Sequence, residues 1–148
     1  MNYKLFPVHR SLFIVVLLLA SCGDNTTPAK NTTPAITDNS PYTAGKTIYQ
    51  KTCITCHQAD GKGIQGTYPP LAGSDYLLAD KLRAIHQVLK GSSNKITVNG
   101  TTYQGVMTAQ VLNDSDVAQV LNYVYHSFGN NSFTVSATDV KSVRDTLK

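Results

Sequence analysis

"CITCHQADGKG", residues 53–63, places two cysteines two residues apart, with a histidine directly behind the second. Several chemistries use a C-x-x-C, and they make different demands on the rest of the chain. A structural zinc site needs four ligands and usually a second pair at similar spacing. The downstream histidines, His86 and His126, stand alone in helical patterns. A thioredoxin-like redox pair wants a βαβ setting, whereas the flanking sequence is helical. A plain disulfide has no use for His57. The reading that uses Cys53, Cys56 and His57 together depends on what surrounds them.

The chain has 148 residues, a length suited to one folded domain. Thirteen Lys and Arg face nine acids, all Asp, for a formal charge of +4, with three Cys, two Met and no Trp. The basic opening "MNYKLFPVHR" runs into the apolar "LFIVVLLLA" at 12–20. A spanning helix needs about 20 apolar residues, so this shorter run suits the hydrophobic region of a secretory signal. "LASC" at 19–22 resembles the lipobox of bacterial lipoproteins. That resemblance implies cleavage before Cys22, a lipid on its sulfur, and a chain anchored on the extracytoplasmic, periplasmic side of a bacterial membrane. An ordinary signal would instead leave an unpaired thiol on an exported chain, which is a liability. Cleavage leaves 11 bases against nine acids, Met107 as the sole methionine, and Cys53 and Cys56 as the sole free thiols.

The expected organisation is a signal peptide at 1–21, a tether at 22–41 and a folded domain at 42–148. The tether is Thr, Asn, Pro and Ala with almost no large apolar residue, too little to offset its ordering entropy. In the domain, Ser40 and Pro41 read as N-cap and first residue of a helix reaching about Lys51. A second helix is expected over 75–90, capped by Ser74, ended by Gly91, with Leu78, Leu82, Ile85 and Leu89 on one face. A third starts at an Asn113/Asp116 capping box and stops at Gly129, with Val117, Val120, Leu121, Val124 and Phe128 inward. A short fourth is capped by Ser136 and buries Val140, Val143 and Leu147. Between them "KITVNGTTYQ" (95–104) alternates around Asn99 and Gly100, the strongest two-residue hairpin signal. The class is therefore all-α with one small β-hairpin.

In C-x-x-C-H each thiol adds to a vinyl group of haem and the adjacent histidine ligates the iron. This attachment takes place outside the cytoplasm, so the export signal and the motif agree. The chain here resembles the class I c-type cytochromes over most of 42–148. "AGKTIYQKTCITCH" is similar to their first helix running into the haem motif; "DGKG", "YPPLAG", "NGTTYQGVM" and "DVAQVLNYV" follow in the family's order. The resemblance implies a cytochrome c fold, with orthogonal helices around one covalent haem c and its iron. It implies that Gly45 and Tyr49 meet Val120 and Tyr123 where the first and last helices cross. It also implies that the Pro69 carbonyl accepts a hydrogen bond from the His57 ring, and that Pro70 and Leu71 line the haem edge.

Met107 lies where the family has its second axial ligand, although the family's following proline is here Thr108. Met/His ligation raises the reduction potential, and a bis-histidine iron through His86 or His126 would have a lower one. As apolar filler, Met107 would leave the iron open. No catalytic residue is expected. The implied function is electron transfer between extracytoplasmic redox partners by a monomer held at the membrane by its lipid. The alternatives are a dedicated cytochrome subunit of a larger complex, such as a terminal oxidase or nitrite reductase, and a five-coordinate haem enzyme or sensor. Lysines 46, 51, 62, 81, 90 and 95 form either a solvated surface or a basic rim for an acidic partner. With no dense basic run on an exported chain, nucleic acid is not an expected partner.

Overall fold

The computed structural model describes residues 40–148. The expected signal peptide, the expected lipid anchor Cys22 and the expected tether up to residue 39 lie outside the described residues. Among the described residues no helix is long and apolar enough to cross a membrane.

The elements in chain order are α1 (Thr43–Thr52), α2 (Ile54–His57), α3 (Asp75–Ala79), α4 (Lys81–Lys90), β1 (Ile96–Val98), β2 (Thr101–Tyr103), α5 (Asp114–Tyr125) and α6 (Ala137–Asp145). The two strands form one antiparallel hairpin pairing Ile96 with Tyr103 and Val98 with Thr101. Its turn residues have positive φ, 49° at Asn99 and 77° at Gly100, as a type I′ turn requires.

The central packing is α1 against α5. A Cβ at Gly45 would lie 2.0 Å from the Gln119 carbonyl oxygen and 2.8 Å from the Tyr123 Cβ, so only glycine admits this approach. One turn on, Tyr49 is fully buried and its ring sits 5.4 Å from those of Tyr123 and Phe128. Of the residues expected at this crossing, Tyr123 meets both Gly45 and Tyr49; the tightest contact at Gly45 is the Gln119 backbone, and Val120 also lines a cavity. The stripe Val117, Val120, Leu121 and Val124 is buried, each side chain contributing about 1.5–3 kcal/mol.

Three boundaries differ from the expectation. The first helix begins at Thr43, with Tyr42 in the N-cap position and a turn over Pro41. The helix expected over 75–90 is broken at Asp80, whose backbone is extended (φ −152°, ψ 107°). The Asp80 carboxylate accepts from the amides of Leu82 and Arg83, capping a second helix at the point where a continuous one would have run on. The break shifts the helical phase, so Leu82 turns out to solvent while Leu77, Ala84 and Ile85 are buried. Finally, α5 ends at Tyr125, before Gly129. Phe128 then takes a positive φ of 58° and reaches the aromatic cluster from a turn.

Helix α6 packs on α5 and α4 with Val140 fully buried. Ser136 and Asp139 form a reciprocal capping box, and Lys81 adds an ion pair to Asp139 at 3.1 Å. The cap amide, the Ser136 hydroxyl and Lys81 hold the Asp139 carboxyl down at about 2. A depressed carboxylate contributes stability that is complete above its unfolded value near ~4 and is lost as pH falls through its folded value. Acid melting of the wild type should therefore show a loss of stability between about pH 4 and pH 2, followed by circular dichroism. Asp139→Asn should lower the melting point at neutral pH and flatten that window.

Candidate functional site

A cavity of about 360 Å³ opens beside α2, within the ~300–1,000 Å³ of cofactor clefts. Cys53, Cys56, His57, Pro69, Leu71 and Met107 all line it, so the structure brings every candidate cofactor-binding residue to one place. The hairpin supplies a wall through Ile96, Val98 and Tyr103, and α5 another through Val120, Leu121 and Val124. Among the described residues, no Lys, Arg or Asp lines it.

Residue 53 ends α1 and starts α2: the Cys53 amide donates to the Tyr49 carbonyl, and the Cys53 carbonyl accepts from the amides of Cys56 and His57. One helical turn thus presents both thiols and the imidazole along the cavity. The thiols are free. Among the described residues no three His, Cys or Asp side chains converge on a point that could hold a bare metal ion. The trio is spread along a wall, which suits a planar macrocycle bonded at its edge and does not suit zinc. Burial raises the Cys53 thiol above its ordinary value, partly offset by the Thr52 hydroxyl 3.3 Å away, which favours the protonated thiol.

The Pro69 carbonyl oxygen lies 3.0 Å from His57 Nδ1. A carbonyl only accepts, so Nδ1 carries the proton and Nε2 keeps its lone pair. Burial lowers the His57 pKa, and the Pro69 bond opposes this, so the ring is neutral at physiological pH. Two further contacts fix the turn that carries it. The Gly63 amide donates to the His57 carbonyl, and the Tyr49 hydroxyl donates to the Gln58 carbonyl at 2.7 Å. Burial drives the Tyr49 phenol far above its ordinary value, so it stays a donor. Gly63 has φ +64°, and a Cβ there would lie 2.3 Å from the Tyr68 carbonyl oxygen and 2.6 Å from the Pro69 carbonyl oxygen that accepts the His57 hydrogen bond.

Asn130 was not singled out from the sequence, yet it locks the opposite rim. It is buried; its amide donates to the carbonyls of Leu71 and Val124 and its oxygen accepts from the Gly73 amide. These bonds hold the 69–73 loop against the end of α5. His86 and His126 do not line the cavity. His86 is exposed, and His126 stacks on Tyr42 at 4.8 Å. Two lysines of the suggested basic rim are engaged in ion pairs, Lys62 with Asp60 and Lys81 with Asp139.

The profile of the family described as Cytochrome c matches residues 42–127. Cytochrome c-552 of Thermus thermophilus is 39% identical over 90 residues, covering 57% of this chain and 68% of that protein. The alcohol dehydrogenase (quinone) cytochrome c subunit of Gluconobacter oxydans is 30% identical over 118 residues, 78% of this chain and 25% of the subunit. The fructose dehydrogenase cytochrome subunit of Gluconobacter japonicus is 33% identical over 111 residues, 69% of this chain and 22% of the subunit. The chain therefore spans about a quarter of the length of these dehydrogenase subunits. The chain belongs to the cytochrome c family, as a class I c-type cytochrome, a family defined by covalently bound haem c.

Proposed function

We propose that this chain is a single-haem electron carrier in which Cys53 and Cys56 anchor the haem and His57 and Met107 are its axial ligands. The observation that carries this reading is that all four residues, from two segments fifty residues apart in the chain, line one cavity without Lys, Arg or Asp among its described lining residues. When bound, haem iron supplies a centre that gains and loses one electron. Cys53 and Cys56 would hold the haem through thioether bonds to its two vinyl groups and so tie it to α2. His57 offers Nε2, oriented by the Pro69 carbonyl, and this hydrogen bond raises the ring's basicity. Met107 offers a soft thioether, which favours the reduced state. The apolar lining disfavours the more highly charged oxidised state and excludes water. With His57 and Met107 both serving as iron ligands, no position would be left for a substrate, and the site would suit electron transfer alone. A potentiometric titration should show one electron per chain at a single potential. Rapid carbon monoxide binding by the untreated reduced protein would sink this reading in favour of an open iron.

The "LASC" signal and the polar stretch after it support a lipid tether at Cys22 that holds the domain outside the cytoplasm. Each buried CH₂ contributes about 0.8 kcal/mol to membrane binding, and tethering raises the effective concentration at membrane partners. Cys22→Ser should move the protein from the membrane fraction to the soluble one with haem still attached, as read by haem-stained gels of both fractions. Protein that remains membrane-bound refutes the anchor.

A second reading has its own support. The dehydrogenase cytochrome subunits of the two Gluconobacter species are similar over most of this chain, which favours an electron-accepting role beside a membrane dehydrogenase. The sequence reading had named an oxidase or nitrite reductase for such a complex. Co-purification from native membranes distinguishes a dedicated subunit from a free shuttle.

A further inference from the structure

The residue after Met107 is Thr108, so nothing in the local sequence fixes the backbone there. The structure shows a different restraint. The Ser92 amide donates to the Met107 carbonyl and the Met107 amide donates to the Ser92 carbonyl, both at 2.8 Å, a two-way bridge between segments fifteen residues apart. A third bond runs from the Gln110 amide to the Val88 carbonyl at 2.9 Å. The segment containing Met107 is thereby held against the end of α4 along its backbone.

Gly91 makes the bridge possible. Its backbone, φ 77° and ψ −175°, lies in a region open essentially to glycine alone. A Cβ there would meet the Met107 carbonyl oxygen at 2.4 Å and the Ala109 amide nitrogen at 2.9 Å. Residues 107–109 thus pass directly over the space a side chain at 91 would fill. The glycine that ends α4 is also the seat of the loop that carries Met107.

We infer that Gly91 and Ser92 are positioning residues for Met107: their backbone seats and bridges the loop, and so keeps the thioether in the cavity. This rests on the reading of Met107 as an axial ligand. A structural role alone would affect stability; a positioning role also changes the sulfur–iron bond while the fold and the covalent haem persist.

The test uses the full chain, matured with its haem. Ser92→Pro removes the donating amide and puts ring carbons against the Met107 carbonyl; Ser92→Ala keeps both bonds; Gly91→Ala intrudes on the loop; Met107→Ala is the reference. The readouts are the far-red sulfur-to-iron absorption of the ferric protein, amide hydrogen exchange at Met107 in the reduced protein, and far-UV circular dichroism. Ser92→Ala should match the wild type. Ser92→Pro and Gly91→Ala should retain haem and helix while losing most of the far-red band. Exchange at Met107 should quicken by about fivefold to tenfold, the worth of one net hydrogen bond. A band and an exchange rate unchanged in both variants, with the band abolished in Met107→Ala, overturns the inference and spares the ligand assignment. A band surviving in Met107→Ala overturns the ligand assignment, and the inference falls with it. Should either variant fail to fold, the wild type decides: Met107 and Ser92 amides exchanging as fast as that of exposed Val106 refute the bridge.

Discussion

Gly45→Ala is expected to lower the melting temperature of the haem-loaded protein by about 4–16 °C, a net cost of about 1–2 kcal/mol at some 4–8 °C per kcal/mol for a domain of this size. The added methyl would sit 2.0 Å from the Gln119 carbonyl oxygen and 2.7 Å from its carbon. Neither atom can turn aside as a side-chain tip would, because both belong to the backbone of α5. Moving α5 away from α1 separates Tyr49 from Tyr123 and Phe128, and α5 also walls the cavity. Overpacking of this kind costs about 1–3 kcal/mol and sometimes more, against roughly 1 kcal/mol that alanine gains over glycine in a helix. The steric effect wins because the clash is deep and both walls are main chain. Ala44→Gly is the control. It lies next door on the exposed side of α1 and should lose only the propensity difference, about 1 kcal/mol. If Gly45→Ala melts at or above the wild-type temperature, the close crossing of α1 and α5 is not what holds the domain together.

Met107→Ala should produce the largest functional change. Axial ligands move haem potentials across about 0.8 V, and Met/His ligation lies toward the high end. Removing the thioether should lower the midpoint potential by roughly 100–300 mV, a fraction of that span, and let the reduced protein bind carbon monoxide. The far-red absorption should vanish while haem stays attached through Cys53 and Cys56. Met107→His should restore six-coordination without restoring the potential. An unchanged midpoint in Met107→Ala would mean that the sulfur is filler in the cavity wall.

The sequence showed the features that depend on near neighbours. The spacing of Cys53, Cys56 and His57 is set by one helical turn, so the attachment motif is visible in five residues. The same holds for the Asn99 and Gly100 turn and for the caps at Ser74, Asn113 and Ser136. The break at Asp80 was hidden because apolar spacing on both sides fits one helix. Asp80 capped the second helix where a continuous one would have left its carboxylate in solvent, and Leu82 turned outward as a result. The early end of α5 was hidden because Phe128, although apolar and correctly spaced, reaches the core from a positive-φ turn.

In the site, the expected places of Pro69 and Met107 came from the family resemblance. What supports them did not show in the sequence, because it depends on distant main-chain partners. Gly63 read as part of a common motif, but its need for glycine comes from its positive φ and from the Tyr68 and Pro69 carbonyls that pass over it. Gly91 read as a helix stop, and the Met107 backbone that crosses it belongs to another segment. Asn130 ends the stretch "SFGN", whose resemblance to attached cytochrome domains gave it no role, and its three side-chain hydrogen bonds join segments that meet only in the folded domain. The hairpin was legible as a hairpin, but its service as a wall of the cavity was not.

The covalent bond between haem and the C-x-x-C-H turn is tested most directly by mass. Protein matured in a host able to attach haem is denatured, weighed intact, cleaved with trypsin and mapped. The predicted result is one haem per chain that survives denaturation, carried entirely by the peptide of residues 52–62, which holds both Cys53 and Cys56. A chain with the mass of the bare polypeptide, yielding that peptide with two alkylatable thiols, would contradict it.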